Sequence, residues 1–309
     1  MTVSVFIDGA EGTTGLEIRE RLAGRDDIAI IQLDEALRKD ITARTQALND
    51  ADFVILCLPD DAARDAVALI ANDRTRVIDA SSAHRVTEGW TYGFPELEPG
   101  QQAMIAEAKR VSNPGCYPTG FLALVRPLVR AGLVPVEWPL SVNAVSGYSG
   151  GGKAMIANYR DSATPPAARA YGLGLAHKHV AEMQKHARIE HPPLFAPSVA
   201  NTYRGMIVEV PLPLHAFSRR PSLHVCEAVL AEAYRDSPLI HIGDNDAKTV
   251  AIEADAGSDR LTLRVCGSVD TGQARFIATL DNLGKGAAGA AVQNLNIMAG
   301  FDPVAGLTL

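Results

Sequence analysis

The sequence predicts an α/β fold: a doubly wound domain built on a parallel sheet, and an α+β domain inserted before a C-terminal helix. Two observations carry this prediction. Over the first third of the chain, short and continuously apolar runs alternate with amphipathic segments, the pattern of strands covered on both faces. Three later strand-like runs belong to a separate sheet, which we expect to be antiparallel. The 309 residues, 47% of them hydrophobic, suffice for two cores.

The first domain is predicted from a βαβ pattern. Helices are expected near residues 15–23 and 60–71, and Asp60 and Asp61 favour the N-terminus of the second helix. The predicted strands are "VSVFI" (3–7), "IAIIQL" (28–33), "DFVILCL" (52–58) and "RVIDA" (76–80).

The second domain is predicted from a different pattern of elements. Helices are expected after Cys116, from His179 and at 222–236, and strands at 140–147, 205–212, 261–269 and 274–282. The cluster "GYSGGGK" follows the first of these strands, and a Pro/Ala/Gly-rich connection at 162–175 precedes the helix from His179. The final segment, "GKGAAGAAVQNLNIMAGF", reads as a helix whose small residues allow close approach to the first domain. We therefore assign residues 1–114 and 285–309 to the first domain and 115–284 to the second.

Composition excludes several classes of protein. The net charge of −7 does not indicate a nucleic-acid-binding protein, since such proteins carry an excess of positive charge. No apolar run approaches the ~18 to 20 residues of a membrane helix. The N-terminus carries no secretory signal. The cysteines, Cys57, Cys116, Cys226 and Cys266, form no CxxC pair, which argues against a metal site and a disulfide framework. A cytoplasmic location is expected.

A glycine loop follows the first strand in "FIDGAEGTTGLEI" and contains Gly9, Gly12 and Gly15. Glycines permit a tight turn and close backbone approach, and the N-terminus of the following helix offers free N–H groups to a pyrophosphate. The spacing is GxxGxxG rather than the GxGxxG of the usual dinucleotide fingerprint. The alternative is an ordinary glycine-rich βα turn.

Charged residues after the second strand bear on which dinucleotide binds. Asp34 lies where an acid holds a ribose 2′-hydroxyl, which favours NAD, whereas Arg38 and Lys39 are placed to hold a 2′-phosphate, which favours NADP. All three could instead be solvated loop charges. We predict NADP.

Cys116 stands in a stiff segment, "SNPGCYPTG". Gly115 permits a turn, Pro118 suits the first turn of a helix, and apolar residues then follow at helical spacing, so Cys116 is expected to cap a helix. Free N–H groups there stabilise a thiolate and an oxyanion on an attacked carbonyl. The other three cysteines lie in apolar runs and are read as small core residues.

A thiol nucleophile beside a dinucleotide site indicates one chemistry: the thiolate attacks an acyl donor, a thioester forms, and hydride reduces it. The segment "GLAHKHVAEMQKHA" supplies an acid/base from His177 or His179, at a junction between loop and helix, while His186 is expected on the surface. The alternative for the pair is a structural or solvated role.

Motifs spread over the whole chain resemble one family. "GAEGTTGLEIRERL", "DASSAHR", "YGFPEL", "SNPGCYPTG", "SGYSGGGK", "AHKHVAEM" and "KGAAGAAVQNLN" together resemble N-acetyl-γ-glutamyl-phosphate reductases, in particular the shorter branch of that family. The cysteine motif separates this family from related semialdehyde dehydrogenases, which carry a different residue before the cysteine.

The resemblance implies an NADPH-dependent reductase of arginine biosynthesis, acting on a small acyl phosphate as a homo-oligomer, a dimer or tetramer. It implies Cys116 as nucleophile and His179, or else His177, as acid/base. The implied cofactor contacts are Gly9, Gly12, Thr13, Thr14, Gly15, Arg38, Lys39, Ser82 and Asn294, with Ala83 nearby. The implied substrate contacts are Asn113, Ser149, Gly150, Lys153 and Arg160.

Three other functions remain open from the residues alone. One is reduction of another acyl phosphate, such as aspartyl phosphate. A second is a nucleotide-sensing regulator with a redox-active cysteine, although a regulator needs no activated thiol beside a histidine. A third is a cofactor-free thiol acyltransferase or hydrolase, which needs no βαβ glycine loop.

Overall fold

A computed structural model describes residues 2–309 and divides them into two compact units. Unit 1 runs up to Pro114 and resumes at Ala287–Leu307, and unit 2 comprises Gly115–Gly286 with Thr308–Leu309. The chain ends in unit 2 rather than in unit 1, because the backbone N–H of Thr308 donates to the carboxylate of Asp259 (2.9 Å) and the N–H of Asp259 donates back to the Thr308 carbonyl (2.7 Å).

Unit 1 is built on a six-stranded sheet in which every pair of neighbouring strands is parallel. This confirms the predicted doubly wound sheet. The strand order is β2-β1-β3-β4-β6-β5. The strands are β1 (Val3–Asp8), β2 (Ile28–Ile31), β3 (Phe53–Leu56), β4 (Arg76–Asp79), β5 (Thr91–Tyr92) and β6 (Arg110–Ser112).

Helices cover both faces of this sheet, since successive side chains of a strand point to opposite sides. Val5 and Ile7 pack in a cluster with α1, α4 and α9, while Phe6 packs in a second cluster with α2 and α3. The helices of unit 1 are α1 (Thr13–Leu22), α2 (Ile41–Asp50), α3 (Asp60–Ala68), α4 (Gln101–Glu107) and α9 (Gly289–Ala299). Parallel strands with helices on both faces place the carboxyl ends of the strands at one edge, where such folds bind ligands.

Unit 2 holds a seven-stranded sheet in the order β11-β12-β13-β10-β7-β9-β8. Its strands are β7 (Ser141–Gly147), β8 (Ala168–Ala170), β9 (Leu194–Ala200), β10 (Met206–Pro213), β11 (Ile240–Ile242), β12 (Leu261–Ser268) and β13 (Gln273–Leu280). The three later runs expected in an antiparallel sheet, β10, β12 and β13, do pair antiparallel. The whole sheet is mixed, because β7 pairs with β9, and β11 with β12, in parallel. In each case the connecting chain crosses over before it returns to the sheet.

The helices of unit 2 are α5 (Cys116–Arg130), α6 (Gly152–Asp161), α7 (His179–Ala187) and α8 (Leu223–Ala233). Helix α5 is almost wholly buried and packs on the sheet, where Gly120 allows close approach: a Cβ there would lie 2.9 Å from the Val208 side chain. The N-cap of α5 is Gly115, so Cys116 is the first residue of the helix rather than its cap.

No helix within residues 2–309 combines the length and the apolar character needed to cross a membrane.

Candidate active site

The glycine loop of unit 1 is closed by contacts that leave no room for side chains. Gly9 has φ +89°, and a Cβ on it would collide with the carbonyl oxygen of Cys57. A Cβ on Gly15 would lie 2.5 Å from the carbonyl oxygen of Gly9. Gly12 is the N-cap of α1, and Thr13 begins the helix, so its free N–H groups face a loop with no obstructing side chain.

A cavity of about 810 Å³ lies against this loop. Its wall includes Gly9 and Gly12, and from the other side Arg38 and Lys39. Both cations are exposed, and the guanidinium of Arg38 lies 3.3 Å from the carboxylate of Glu11. The cavity therefore brings the predicted pyrophosphate and 2′-phosphate contacts to one place. Asp34, the residue that would favour NAD, is the N-cap of the short turn that follows β2.

The loop after β4 is held by two carboxylates. Ser82 donates to the Asp60 carboxylate from its backbone N–H (3.0 Å) and from its hydroxyl (2.7 Å). Asp79, fully buried, accepts from the hydroxyl of Ser81 (2.8 Å) and pairs with Nδ1 of His84 (2.6 Å). The loop that carries Ser82 is thus fixed at the carboxyl edge of the sheet.

Asn113 and Asn294 are bonded to each other within unit 1. The side-chain amide of Asn294 donates to Asn113 Oδ1 (3.1 Å) and to the Gly93 carbonyl (2.9 Å), and Asn113 Nδ2 donates to the Ala287 carbonyl (2.9 Å). Asn113, predicted to contact substrate, is thereby grouped with a predicted cofactor residue. Asn294 is fully buried, and its Oδ1 has no hydrogen-bond partner among residues 2–309.

These features of unit 1 fit a dinucleotide. The glycine cradle admits a pyrophosphate, the cavity is lined by cations at one side, and the orphan acceptor on Asn294 requires a donor that the described protein does not supply. A carboxamide such as that of nicotinamide has such a donor.

In unit 2, Cys116 sits at the first position of α5, half-buried. The preceding backbone N–H, that of Gly115, donates to the carboxylate of Glu182 (2.8 Å), which is 1% exposed. On the other side, a Cβ on Gly286 would lie 2.9 Å from the Cβ of Cys116. Cys116 is therefore held between the start of its own helix and a close-packed glycine.

His177 and His179 both lie beside the ring of Tyr117, the residue after the cysteine, with ring centroids 6.4 and 5.8 Å away. His179 begins α7 and is buried, and its backbone N–H donates to Nδ1 of His177 (3.2 Å). His177 thus acts as an acceptor at the helix start, which favours a structural role for it and leaves His179 as the preferred acid/base.

A pair of tyrosines completes this group. The Tyr171 hydroxyl donates to that of Tyr117 (3.0 Å), whose own hydroxyl donates to the Ser198 carbonyl (3.4 Å). Burial, together with a smaller contribution from the charge of Cys116, raises the pKa of Tyr171 to about 12. Burial likewise raises the pKa of Tyr117. Both phenols therefore stay protonated near neutral pH and lie within the field of the thiolate.

The predicted substrate residues of unit 2 differ in burial. Ser149 is buried and its hydroxyl accepts from the side-chain amide of Asn282 (2.7 Å), while Gly150 is adjacent and exposed. Lys153 and Arg160 lie exposed on α6, and the guanidinium of Arg160 stacks 5.0 Å from the ring of Tyr203.

Sequence reasoning missed Glu182, Tyr171 and Gly286 as parts of the site. The motif "HKHVAEM" contains Glu182, but its partner lies 67 residues earlier, so spacing alone carried no signal. In residues 2–309, no cluster of three or more His, Cys, Asp or Glu side chains is placed to hold a metal ion.

Two family models match the chain. Residues 4–105 match the NAD-binding domain of semialdehyde dehydrogenases, and residues 116–282 match the semialdehyde dehydrogenase dimerisation domain.

Curated relatives and solved structures agree with these matches. N-acetyl-γ-glutamyl-phosphate reductases from Brucella ovis and Brucella canis are each 51% identical over 97% of this chain and their full length. Aspartate semialdehyde dehydrogenase II from Vibrio cholerae superposes with a TM-score of 0.73 at 17% identity, covering 97% of this chain and 99% of that one. The Candida albicans enzyme with NADP gives a TM-score of 0.66 at 14% identity, over 97% and 99% of the two chains. These structures share the fold.

Proposed function

Because the chain belongs to the N-acetyl-γ-glutamyl-phosphate reductase family of the semialdehyde dehydrogenases, we propose that it reduces N-acetyl-γ-glutamyl phosphate to N-acetylglutamate semialdehyde and phosphate in arginine biosynthesis. The observation that carries the proposal is Cys116 at the start of α5, next to Tyr117, whose ring lies 5.8 Å from that of His179 at the start of α7. The same observation argues against a nucleotide-sensing regulator, which needs no histidine at its thiol.

The reaction begins at the sulfur of Cys116. As a thiolate, stabilised by the N-terminal amides of α5, it attacks the carbonyl carbon of the acyl phosphate. A tetrahedral oxyanion forms, the C–O bond to phosphate breaks, and a thioester to Cys116 remains. The departing phosphate leaves with the electron pair of that bond.

NADP, when bound in its reduced form, supplies the hydride that converts the thioester to the aldehyde level. His179 donates a hydrogen bond to the carbonyl oxygen as negative charge develops there, and exchanges a proton with the tetrahedral species as it collapses. Collapse breaks the C–S bond, releases the semialdehyde and restores the Cys116 thiolate.

We assign the cofactor contacts to unit 1. Gly9, Gly12 and Gly15, with the amides of Thr13 and Thr14, would hold the pyrophosphate. The remaining contacts are Arg38 and Lys39 for the 2′-phosphate of NADP, and Ser82 and Asn294 for the rest of the cofactor. The shared cavity of the glycines and the two cations supports this assignment.

We assign the substrate contacts to Asn113, Ser149, Gly150, Lys153 and Arg160. Exposed cations on α6 supply charge for an anionic substrate, and the buried Ser149 hydroxyl beside Gly150 supplies a fixed polar group. A cytoplasmic location is part of the proposal, since the four free thiols of the chain stay reduced there.

A homo-oligomer, a dimer or tetramer, is part of the proposal. Unit 2 matches a dimerisation domain, and along β10 fully buried residues alternate with half-buried ones such as Ile207 and Pro211. A sheet with one partly open face suits contact with a second copy.

A second candidate substrate is aspartyl phosphate, because the structural neighbours include aspartate semialdehyde dehydrogenases. Both candidates are tested in the reverse direction, by absorbance of the reduced nicotinamide with aldehyde, phosphate and NADP. We expect turnover with N-acetylglutamate semialdehyde, little with aspartate semialdehyde, and nearly none in Cys116→Ser. The opposite preference between the two aldehydes would assign the chain to aspartyl phosphate.

A further inference from the structure

Unit 2 contains a cluster of stacked aromatic and cationic side chains, of which the proposed function uses only Arg160. Tyr148 stacks on Tyr159 with ring centroids 4.8 Å apart and planes 10° apart, and meets Tyr203 edge-on at 5.6 Å. The guanidinium of Arg169 lies 5.5 Å from the Tyr159 ring, and that of Arg160 lies 5.0 Å from the Tyr203 ring. We call these five residues the tyrosine–arginine cluster.

Two cations of this cluster are available to an anion. Neither Arg160 nor Arg169 forms an ion pair or hydrogen bond with any group among residues 2–309; their contacts are with the tyrosine rings. Stacking on an aromatic face orients a guanidinium while its N–H edge stays free, the arrangement that suits bidentate binding of a carboxylate.

Tyr159 adds an unused polar atom. Its side chain is 4% exposed, and its hydroxyl has no hydrogen-bond partner in residues 2–309. A buried tyrosine hydroxyl usually finds a partner, so this one calls for a ligand atom or an ordered water. The face of its ring is covered by Arg169, which places the hydroxyl and a free cation in the same cluster.

The cluster is connected to the nucleophile through the tyrosine pair. Arg169 lies on β8, and Tyr171 continues the pairing of that strand through its N–H to the Pro197 carbonyl (3.1 Å). Residues two apart on a strand point to one face, so Arg169 and Tyr171 share a side. Tyr171 in turn bonds Tyr117, next to Cys116. The cluster thus lies on the cysteine's side of unit 2, beyond the tyrosine pair.

We propose that the tyrosine–arginine cluster binds the α-carboxylate of the substrate, through Arg169 and Arg160, with the Tyr159 hydroxyl donating to the same group. This inference rests on the proposed function. The phosphate leaves from the carbon that Cys116 attacks, so its site adjoins the sulfur. The α-carboxylate lies at the other end of the short carbon chain of the substrate. An anion site beyond Tyr117 and Tyr171, away from the sulfur, fits that position.

The reverse reaction tests the proposal, because aldehyde and phosphate are then separate substrates. Arg169→Met should raise the KM for N-acetylglutamate semialdehyde roughly 10- to 100-fold, the loss expected for a charged hydrogen bond. The KM values for phosphate and NADP should not change, and kcat should stay within about twofold. Tyr159→Phe, which keeps the stacked ring, should raise only the aldehyde KM, by a smaller factor.

Arg235→Met serves as the matched control, since Arg235 is exposed and paired with Glu232 in unit 2 (2.9 Å). A rise in the phosphate KM of Arg169→Met would overturn the proposal in favour of a phosphate site, and unchanged constants would overturn it outright. Failure of the proposed function appears differently, as a wild-type protein that does not turn over N-acetylglutamate semialdehyde at all.

Discussion

Cys116 differs from the other cysteines of the chain in what surrounds its backbone. Burial raises the pKa of Cys57 to about 12 and that of Cys226 to about 11, so both remain thiols near neutral pH. Cys226 is a fully buried core residue, as expected from the sequence, whereas Cys57 is half-buried and lines the cavity beside the glycine loop. Cys116 instead begins a helix, half-buried, near the protonated tyrosines Tyr117 and Tyr171, and the ring of Tyr117 lies 5.8 Å from that of the buried His179.

The first prediction concerns the acid/base. His179→Asn should keep cofactor affinity but lower turnover by roughly 100-fold or more, the usual size of a general acid/base contribution. The pH limb of the wild-type rate that follows imidazole titration should disappear in this variant. His177→Asn should have a smaller effect, since His177 accepts from the start of α7.

His191 is exposed, and His191→Asn provides the control for this pair of variants. A stronger loss at His177 would exchange the two roles, whereas full activity with an unchanged pH profile in both variants would make the pair structural.

A second prediction at this scale concerns cofactor choice. Replacing Arg38 and Lys39 together by Gln should weaken binding of NADPH much more than binding of NADH, because only NADPH carries the 2′-phosphate. Each lost charged contact is worth about 1.5 to 3 kcal/mol. Arg64→Gln, on an exposed helix position paired with Asp61, is the control. Equal losses for both cofactors would show that the two cations are only loop charges.

At the scale of elements, a buried hydrogen bond joins α7 to the start of α5. Glu182 stands one turn into α7 from His179 and accepts from the Gly115 N–H at the start of α5. The carboxylate therefore fixes α7 against the start of α5. A buried N–H left without an acceptor costs about 1–3 kcal/mol.

We predict that Glu182→Ala lowers the free energy of unfolding by about 1–3 kcal/mol and also lowers turnover, whereas Glu182→Gln, which keeps an acceptor oxygen, recovers most of both. Urea denaturation and steady-state kinetics measure the two effects, with the exposed Glu190→Ala as control. Equal losses of unfolding free energy and of turnover in the Ala and Gln variants would show that this hydrogen bond does not position α7.

Elements with a strong apolar pattern were predictable from the sequence, and weakly patterned ones were not. The run of β3 is continuously apolar, that of β1 is interrupted only by Ser4 before its terminal Asp8, and α5 shows helical spacing after Pro118. By contrast, β8 is three exposed residues, and β9 includes Pro197 among small side chains. Such strands form because neighbouring strands supply their hydrogen bonds, which local sequence does not encode.

At the scale of the whole molecule, the chain leaves unit 1 at Pro114 and returns to it at Ala287. The cysteine motif predicted that a helix starts beside Cys116, because a turn and a helix start are local features. The contacts of Tyr171 and Glu182 were not predictable, since their partners lie 54 and 67 residues away along the chain. Which distant elements meet is decided by packing of the sheet and helices of unit 2.

The central claim is that Cys116 carries the acyl group as a thioester. The most direct measurement is mass spectrometry of the enzyme mixed with N-acetyl-γ-glutamyl phosphate without NADPH and then quenched in acid. We predict that the peptide containing Cys116 gains one N-acetylglutamyl group, that NADPH added before the quench removes it with release of semialdehyde, and that Cys116→Ser gains nothing. An adduct on another residue, or one that persists after NADPH is added, would contradict the claim.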